Sequence, residues 1–411
     1  MYRRMTIIVC VFLLFLSGCT PGFNKENETK KIVKETEEKG KQAKQVKITP
    51  RVETTEEYYR TVVDFEPGAA RGHILYGVGN RLDIDELETG LMDISKSAFP
   101  PDQYIYRDGQ YLGQDTLESW LENKDMNKYK TQNGKVKPYN PLGLNPELPK
   151  NYHDFSWEKK KQFLENHPSY LSYVVEQNYL VKAGDDKLKL GGISIAISMS
   201  RIFTYEIEDD KGLIHSGEVM LDNQEKIKEK ARQFAGMILK RIRKMEELKE
   251  VPIVIGLYQE ETSESVVPGH YFAKTVVDAG DHSIGDWKAI QESHVLFPSD
   301  EADRNHKADA DRFEKFKDDI QKYFPNFVGV IGKAYYKNHE LQHLRIEIPI
   351  KFYAQTEVIS FTQYVTGLVS KSHNPFPKEV PLEVYISSTA GPEALIIRKP
   401  NMDEPFVHIF R

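Results

Sequence analysis

Glu250-Val251-Pro252-Ile253 and Glu379-Val380-Pro381-Leu382 are nearly the same four residues met twice, and what surrounds each decides the fold. Each follows an amphipathic helical pattern. Before the first, Ile227, Ala231, Phe234, Ile238, Ile242 and Met245 recur at helical spacing, with Asp222 placed as N-cap and Glu225 three residues on. Before the second, Val358, Phe361, Val365 and Leu368 do the same. Upstream of each helix lies an alternating strand. Ile193, Ile195, Ile197 and Met199 oppose Ser194, Ala196, Ser198 and Ser200 in the first. In the second, Leu344, Ile346, Ile348, Ile350 and Phe352 oppose His343, Arg345, Glu347 and Lys351. A polar turn, Gly184-Asp185-Asp186 or Asn338-His339-Glu340, joins each to an earlier strand-like run, 170–182 or 327–337. A closing strand follows each Glu-Val-Pro step, over 270–277 and 394–399.

This order predicts an α+β fold with two related modules, each a mostly antiparallel sheet with its main helix on one face. Pro252 and Pro381 lack an amide donor and belong at strand starts. Phe313, Phe316, Ile320 and Phe324 predict a connecting helix between the modules. A helical, mixed section precedes them. Asp83-Ile84-Asp85-Glu86 reads as a helix start, with Leu87, Leu91, Ile94 and Ala98 on one face before Pro100-Pro101. Asp115-Thr116-Leu117-Glu118 reads as a second start, with Leu117, Trp120 and Leu121 inward. Between them, 104–112 alternates around Asp108-Gly109 and predicts a small hairpin. Residues 133–149, rich in Pro, Gly and Asn, predict an ordered loop.

The N-terminus carries an address. Arg3-Arg4 precede an uncharged apolar run from Met5 to Leu16, which ends in Leu16-Ser17-Gly18-Cys19. As a helix the run spans about 18 Å, too short for a ~30 Å hydrocarbon core. The small residues Ser17 and Gly18 suit a peptidase groove, and Cys19 supplies a thiol for acylation. This is the lipobox of a bacterial lipoprotein, with cleavage between Gly18 and Cys19 and lipid on Cys19. From Thr20 to Pro50 the chain is mostly Lys, Glu, Asn, Gln and Thr, and reads as a solvated tether. The expected organisation is a signal over 1–18, a lipidated cysteine and disordered charged tether over 19–52, and a mixed section over 53–168. A first module over 169–300 and a linker helix with the second module over 301–411 complete it.

Composition agrees with export. The two cysteines are Cys10, inside the signal, and Cys19, which leaves the folded part without thiols or disulfides. With Arg3 and Arg4 removed, 54 basic residues face 62 acidic ones, a net charge of −8. That balance argues against a nucleic-acid partner.

Arg71-Gly72, Gly79-Asn80-Arg81-Leu82-Asp83-Ile84, Glu88-Thr89-Gly90-Leu91, Gly109-Gln110-Tyr111-Leu112 and Trp120-Leu121 follow the lipobox and the Lys/Glu tether. Together they resemble the CamS sex-pheromone precursor lipoproteins of low-GC Gram-positive bacteria, over essentially the whole chain. The resemblance implies an outer-surface lipoprotein whose discarded signal is trimmed to a short hydrophobic peptide ending just before the lipidated cysteine. The matching residues here are Phe12 to Gly18.

One catalytic match needs its own test. His339-Glu340-Leu341-Gln342-His343 fits H-E-x-x-H, which binds zinc only on a helix, where positions i and i+4 share a face. The period-two alternation that follows predicts a hairpin instead, so His339 and His343 are rejected as metal ligands. Gly77-Val78-Gly79 lacks the third glycine of a dinucleotide loop. Asp209-Asp210 and the acidic stretch over 300–311 lack the ligand alternation of a calcium loop. The basic residues Lys240, Arg241, Arg243 and Lys244 share a helix with Glu246 and Glu247 and read as a solvated helix face. No catalytic residue and no cofactor is expected. The expected protein is a non-enzymatic surface lipoprotein held to the membrane through Cys19, with an ectodomain that binds a surface ligand or protein. An extracytoplasmic hydrolase with an unrecognised site, or a solute-binding lipoprotein, is the alternative.

Overall fold

The computed structural model describes residues 83–410 apart from 128, 131–135, 138, 185–186, 324–328, 352–353, 371–374, 401 and 403, together with 32–35, 45–47, 67–70 and 80–81. The signal, the lipobox and most of the tether lie outside the described residues. The chain divides into two units. One comprises 1–56, 62–64 and 182–188; it contains the short antiparallel pair Ile32–Glu35 and Gln45–Lys47. The other comprises 57–61, 65–181 and 189–411, and holds both modules.

The larger unit begins with α1 (Ile84–Ser95), β1 (Ile105–Asp108), α2 (Gln114–Leu121) and α3 (Trp157–Asn166). The first module follows: β2 (Leu171–Lys182), β3 (Lys187–Met199), β4 (Ile202–Glu208), β5 (Ile214–Met220), α4 (Gln224–Ile242), β6 (Ile253–Gln259), β7 (His270–Val277) and β8 (Lys288–Ala289). The second contains β9 (Glu292–Phe297), α5 (Asp300–Asn305), α6 (Lys307–Tyr323), β10 (Ile331–Lys337), β11 (Glu340–Pro349), α7 (Gln355–Val369), β12 (Leu382–Ser388), β13 (Gly391–Arg398) and β14 (Phe406–Ile409).

The modules share one topology. The first sheet runs β1-β2-β3-β6-β7-β8 and the second β9-β10-β11-β12-β13-β14. In each, a hairpin ends in a strand that lies parallel to the strand after the helix, Ile193 beside Ile253 and Leu344 beside Leu382. The closing strand is antiparallel. Parallel neighbours require a crossover, and α4 and α7 supply it. The likeness extends to single bonds. Ile193 N–H donates to the Pro252 carbonyl and Leu344 N–H to the Pro381 carbonyl, both at 3.1 Å. A bulge follows at the matching step of each sheet, between Leu257 and Tyr258 and between Ile386 and Ser387. Each proline precedes its strand, where the ladder needs no donor from it.

A buried arginine pins each Val-Pro step, from a different place in the chain. Arg243, at the C-cap of α4, donates to the Val251 carbonyl at 2.7 Å and also to those of Leu248, Asp278 and Asp281. Arg398, at the end of β13, donates to the Val380 carbonyl at 2.9 Å and the Pro377 carbonyl at 2.8 Å. Arg243 thus serves the core instead of the solvated helix face that its neighbours suggested.

The modules differ in their second face. In the first sheet, α4 covers the Ile193, Ile195, Ile197 face, and α1 with Phe99 packs on the other. There the Tyr271 hydroxyl donates to the Leu87 carbonyl at 2.6 Å, and Phe99 lies against Gly192. Ser194, Ala196 and Ser198 are therefore buried too. In the second sheet, α6 and α7 supply Phe313, Phe316, Phe361 and Val365 to one core. The other face carries paired charges: Lys333 with Glu347 at 2.9 Å, and Arg345 over the Tyr385 ring at 4.0 Å.

Three local expectations are corrected. The hairpin over 104–112 is one strand, β1, paired antiparallel with β2 from Ile105–Leu180 to Asp108–Gln177. Gly109 there serves close approach instead of a turn, because a Cβ would stand 2.6 Å from the Glu176 carbonyl oxygen. One helix start stands and two shift: Asp83 is the N-cap of α1, though without a side-chain capping bond, whereas Gly113 rather than Asp115 caps α2 and Asn223 rather than Asp222 caps α4 by accepting from Lys226 N–H. Finally, β4 and β5 form a separate two-stranded ribbon between β3 and α4 that the repeat pattern did not show.

Two helical glycines give opposite expectations. A Cβ at Gly90 in α1 would stand 2.6 Å from the Tyr271 ring, whereas one at Gly236 in α4 meets nothing within 4 Å. Gly236→Ala should stabilise by about 0.5–1 kcal/mol through helix propensity. Gly90→Ala should instead destabilise, by roughly 1–3 kcal/mol, because overpacking outweighs propensity. Urea unfolding of the two variants beside the parent checks both signs.

Candidate functional site

The motifs that carry the family resemblance are bonded into the backbone. The side chain of Asn80 accepts from Arg201 N–H at 2.7 Å and Ile202 N–H at 2.6 Å, and donates to the Ile202 carbonyl at 2.7 Å. It clamps the chain where β3 gives way to β4. Gly109 to Leu112 is held by buried Glu176 of β2. One carboxylate oxygen accepts from Leu112 N–H at 2.7 Å and Tyr111 N–H at 3.0 Å, and the other from the Asn178 amide. Burial pushes the Glu176 carboxyl upward, while these donors hold it back. Gly90 sits against the Tyr271 ring. These positions are fixed by packing and backbone pinning.

The H-E-x-x-H segment has no helix. His339 lies in the β10–β11 turn at φ 66°, beside Asn338 at φ 53°, as an Asn-led tight hairpin turn requires. His343 lies on β11 opposite Tyr335 and faces Glu383 of β12 at 3.7 Å. A turn residue and a strand residue do not present two imidazoles along one helical face.

A second polar cluster lies where the parallel strands β3 and β6 end. Glu260, fully buried, accepts from the Ser198 hydroxyl at 2.7 Å, and its other carboxyl oxygen makes no hydrogen bond. Burial pushes it up to about 7 against the pull of the Ser198 hydroxyl. His270, opposite Gln259 on β7, is driven the other way: burial, His294 and Arg201 bring its imidazole down to about 4.

The remaining feature is the β4–β5 ribbon with α3, here termed the arm. In the second module β11 ends at Pro349 and α7 begins at Gln355, so only a short connection stands where the first module carries the arm. The arm has its own small core, in which Leu164, Tyr205 and Ile207 meet Trp157, Phe163, Phe203 and Val219. His215 stacks on Trp157 with centroids 3.8 Å apart, and its Nε2 lies 3.0 Å from Asp209. The other Asp209 oxygen accepts from Lys211 and Leu213 N–H groups, both at 2.9 Å, and so shapes the turn. These bonds hold the Asp209 carboxyl below its ordinary value, the His215 bond foremost. Asp209 and Asp210 thus belong to a hairpin turn. The Tyr205 hydroxyl crosses Gly217 to donate to Glu165 of α3 at 2.9 Å.

The arm's second face is different. Glu206, Glu208 and Glu218 share it with Ser216, Ile214 and Met220, the last two 58% and 52% exposed. A folded element absent from the sister module, with an exposed apolar and acidic face, is the best candidate site in the described residues.

A family model described as CamS sex pheromone cAM373 precursor matches residues 65–404. The chain belongs to this family. Two solved structures are similar to it. The sex pheromone precursor from Lactobacillus salivarius subsp. salivarius is 27% identical, with a TM-score of 0.71, over 89% of this chain and 99% of that one. The C-terminal domain of the sex pheromone staph-cAM373 precursor from Staphylococcus aureus is 28% identical, with a TM-score of 0.62, over 80% of this chain and 96% of that one. A search of curated proteins gave no match.

Glu260 and His270 give this CamS-family chain a pH-dependent stability. Glu260 is raised from 4.5 to about 7 on folding, so its stabilisation is complete below ~4.5 and falls as pH rises toward 7. The loss amounts to ~3 kcal/mol. His270, lowered from 6.5 to about 4, acts oppositely and costs stability as pH falls through that window. Glu260→Gln should therefore gain on the parent as pH rises from about 4.5 to 7. Urea midpoints across that range measure it; a constant difference would contradict the assignment.

Proposed function

We propose that this CamS-family protein is an outer-surface lipoprotein, anchored by lipid on Cys19, whose ectodomain is a non-enzymatic binding module. Its discarded signal, trimmed to Phe12–Gly18, is the source of a short hydrophobic peptide. Leu16-Ser17-Gly18-Cys19 supports the anchor, since cleavage before Cys19 exposes the thiol-bearing residue that takes the acyl chains. Among the described residues no helix is long and apolar enough to cross a membrane. The observation that carries the binding reading is the arm: it is added to one of two like modules, whereas Glu176, Glu260 and Arg243 are bonded within the core. The partners are the membrane, through the lipid, and a protein or ligand at the surface. The net charge of the mature chain argues against nucleic acid.

Cys19→Ser tests the anchor. Buried acyl chains contribute ~0.8 kcal/mol per CH₂, so their loss should release the protein from the membrane fraction or leave the signal uncleaved. Membrane retention with normal processing in that variant would overturn the proposal.

A further inference from the structure

The ladder of the arm fixes which backbone groups are free. Asp209 N–H donates to the Leu213 carbonyl and Leu221 N–H to the Arg201 carbonyl, both at 2.9 Å. Antiparallel bonds recur at every second residue, so the pairs 207–215, 205–217 and 203–219 bond internally. Ile214, Ser216, Glu218 and Met220 therefore turn their N–H and C=O groups away from β4. Among the described residues β5 has no neighbour on that side, while Asn80 bonds to Ile202 at the β4 edge. The same four residues have exposed side chains.

Edge strands are normally guarded by charged side chains, lysine above all, or by proline, a bulge or short length. β5 is seven residues long, Ile-His-Ser-Gly-Glu-Val-Met, and carries only Glu218 as a guard, with no lysine, proline or bulge. Its outer face joins Glu206, Glu208 and Glu218, with no basic residue on that face of the ladder. The turn adds Asp210 and a single lysine, Lys211.

We propose that the β5 edge binds an extended, cationic protein segment by strand addition. Backbone bonds to Ile214, Ser216, Glu218 and Met220 hold the segment, the three glutamates select its lysines or arginines, and Ile214 and Met220 pack against the methylene stems of those same side chains. Charge complementarity selects the occupant: an acidic segment would meet three glutamates, and a neutral one would gain nothing from them. This inference rests on the binding-module reading above and names its partner class.

The test uses the full chain in a non-ionic detergent and a blocked seven-residue peptide of alternating lysine and valine, the length of β5. Calorimetry should show binding that weakens as salt rises from about 0.05 to 0.5 M, and none by the same peptide with glutamate for lysine. Ser216→Pro removes an outward N–H without touching the β4–β5 ladder, and should weaken binding roughly tenfold. Glu206→Gln with Glu218→Gln keeps every backbone bond and should weaken binding while flattening its salt dependence. No binding by the parent chain, or equal binding by Ser216→Pro, would overturn the inference. Self-association of the parent abolished by Ser216→Pro, without peptide binding, would also overturn it and assign the edge to a second copy. Mass spectrometry of the peptide separates the two levels. Cleaved peptide contradicts the non-enzymatic reading, whereas intact, unbound peptide contradicts only the strand-addition proposal.

Discussion

The parallel pair at the middle of each sheet is the constraint on which the rest depends. Two parallel strands cannot be joined by a tight turn, so the chain must leave the sheet, cross one face and return beside its starting strand. That forces a helix onto one face and fixes where the returning strand begins. Val251-Pro252 and Val380-Pro381 mark the return, each proline carbonyl accepting from the neighbouring strand. The buried guanidiniums of Arg243 and Arg398 take the preceding valine carbonyls out of competition with water. Two arginines from unrelated positions meet the same need, because a buried carbonyl at the mouth of a strand costs about 1–3 kcal/mol when left unpaired.

Once one face is committed to the crossover helix, the other is free to diverge, and the two modules have diverged there. The first sheet carries serine, alanine and glycine opposite its isoleucines, so α1 and Phe99 can approach closely. The second carries His343, Arg345 and Glu347 at the matching positions, which pair among themselves and with β12 instead of accepting a cover. Side-chain size on that face accounts for the difference in burial between two strands of similar period.

Much of this was legible in the residues. Periodicity placed both crossover helices, the alternating strands and the proline steps, because each of these signals is local and repeated. What escaped detection depends on distant partners. Asp108-Gly109 has the composition of a turn, but its glycine answers to Glu176 on another strand. Arg243 resembles its solvated neighbours until the returning carbonyls are placed around it. The arm was missed because a two-stranded ribbon with glutamates on one face gives a weak hydrophobic signal, and its core is completed by α3, more than thirty residues upstream of β4. The expected lipobox lies outside the described residues.

The two parallel pairs form the stable core, and the arm is an added element that should open separately; native-state hydrogen exchange distinguishes the two. The amides of Ile193–Met199 with Ile253–Gln259, and of Leu344–Ile348 with Leu382–Ser388, should exchange only with global unfolding. The bonded amides of the arm should open at a distinctly lower free energy, and those of Ile214, Ser216, Glu218 and Met220 should exchange fastest of all. Arm amides that exchange with the same free energy as the parallel pairs would contradict the claim.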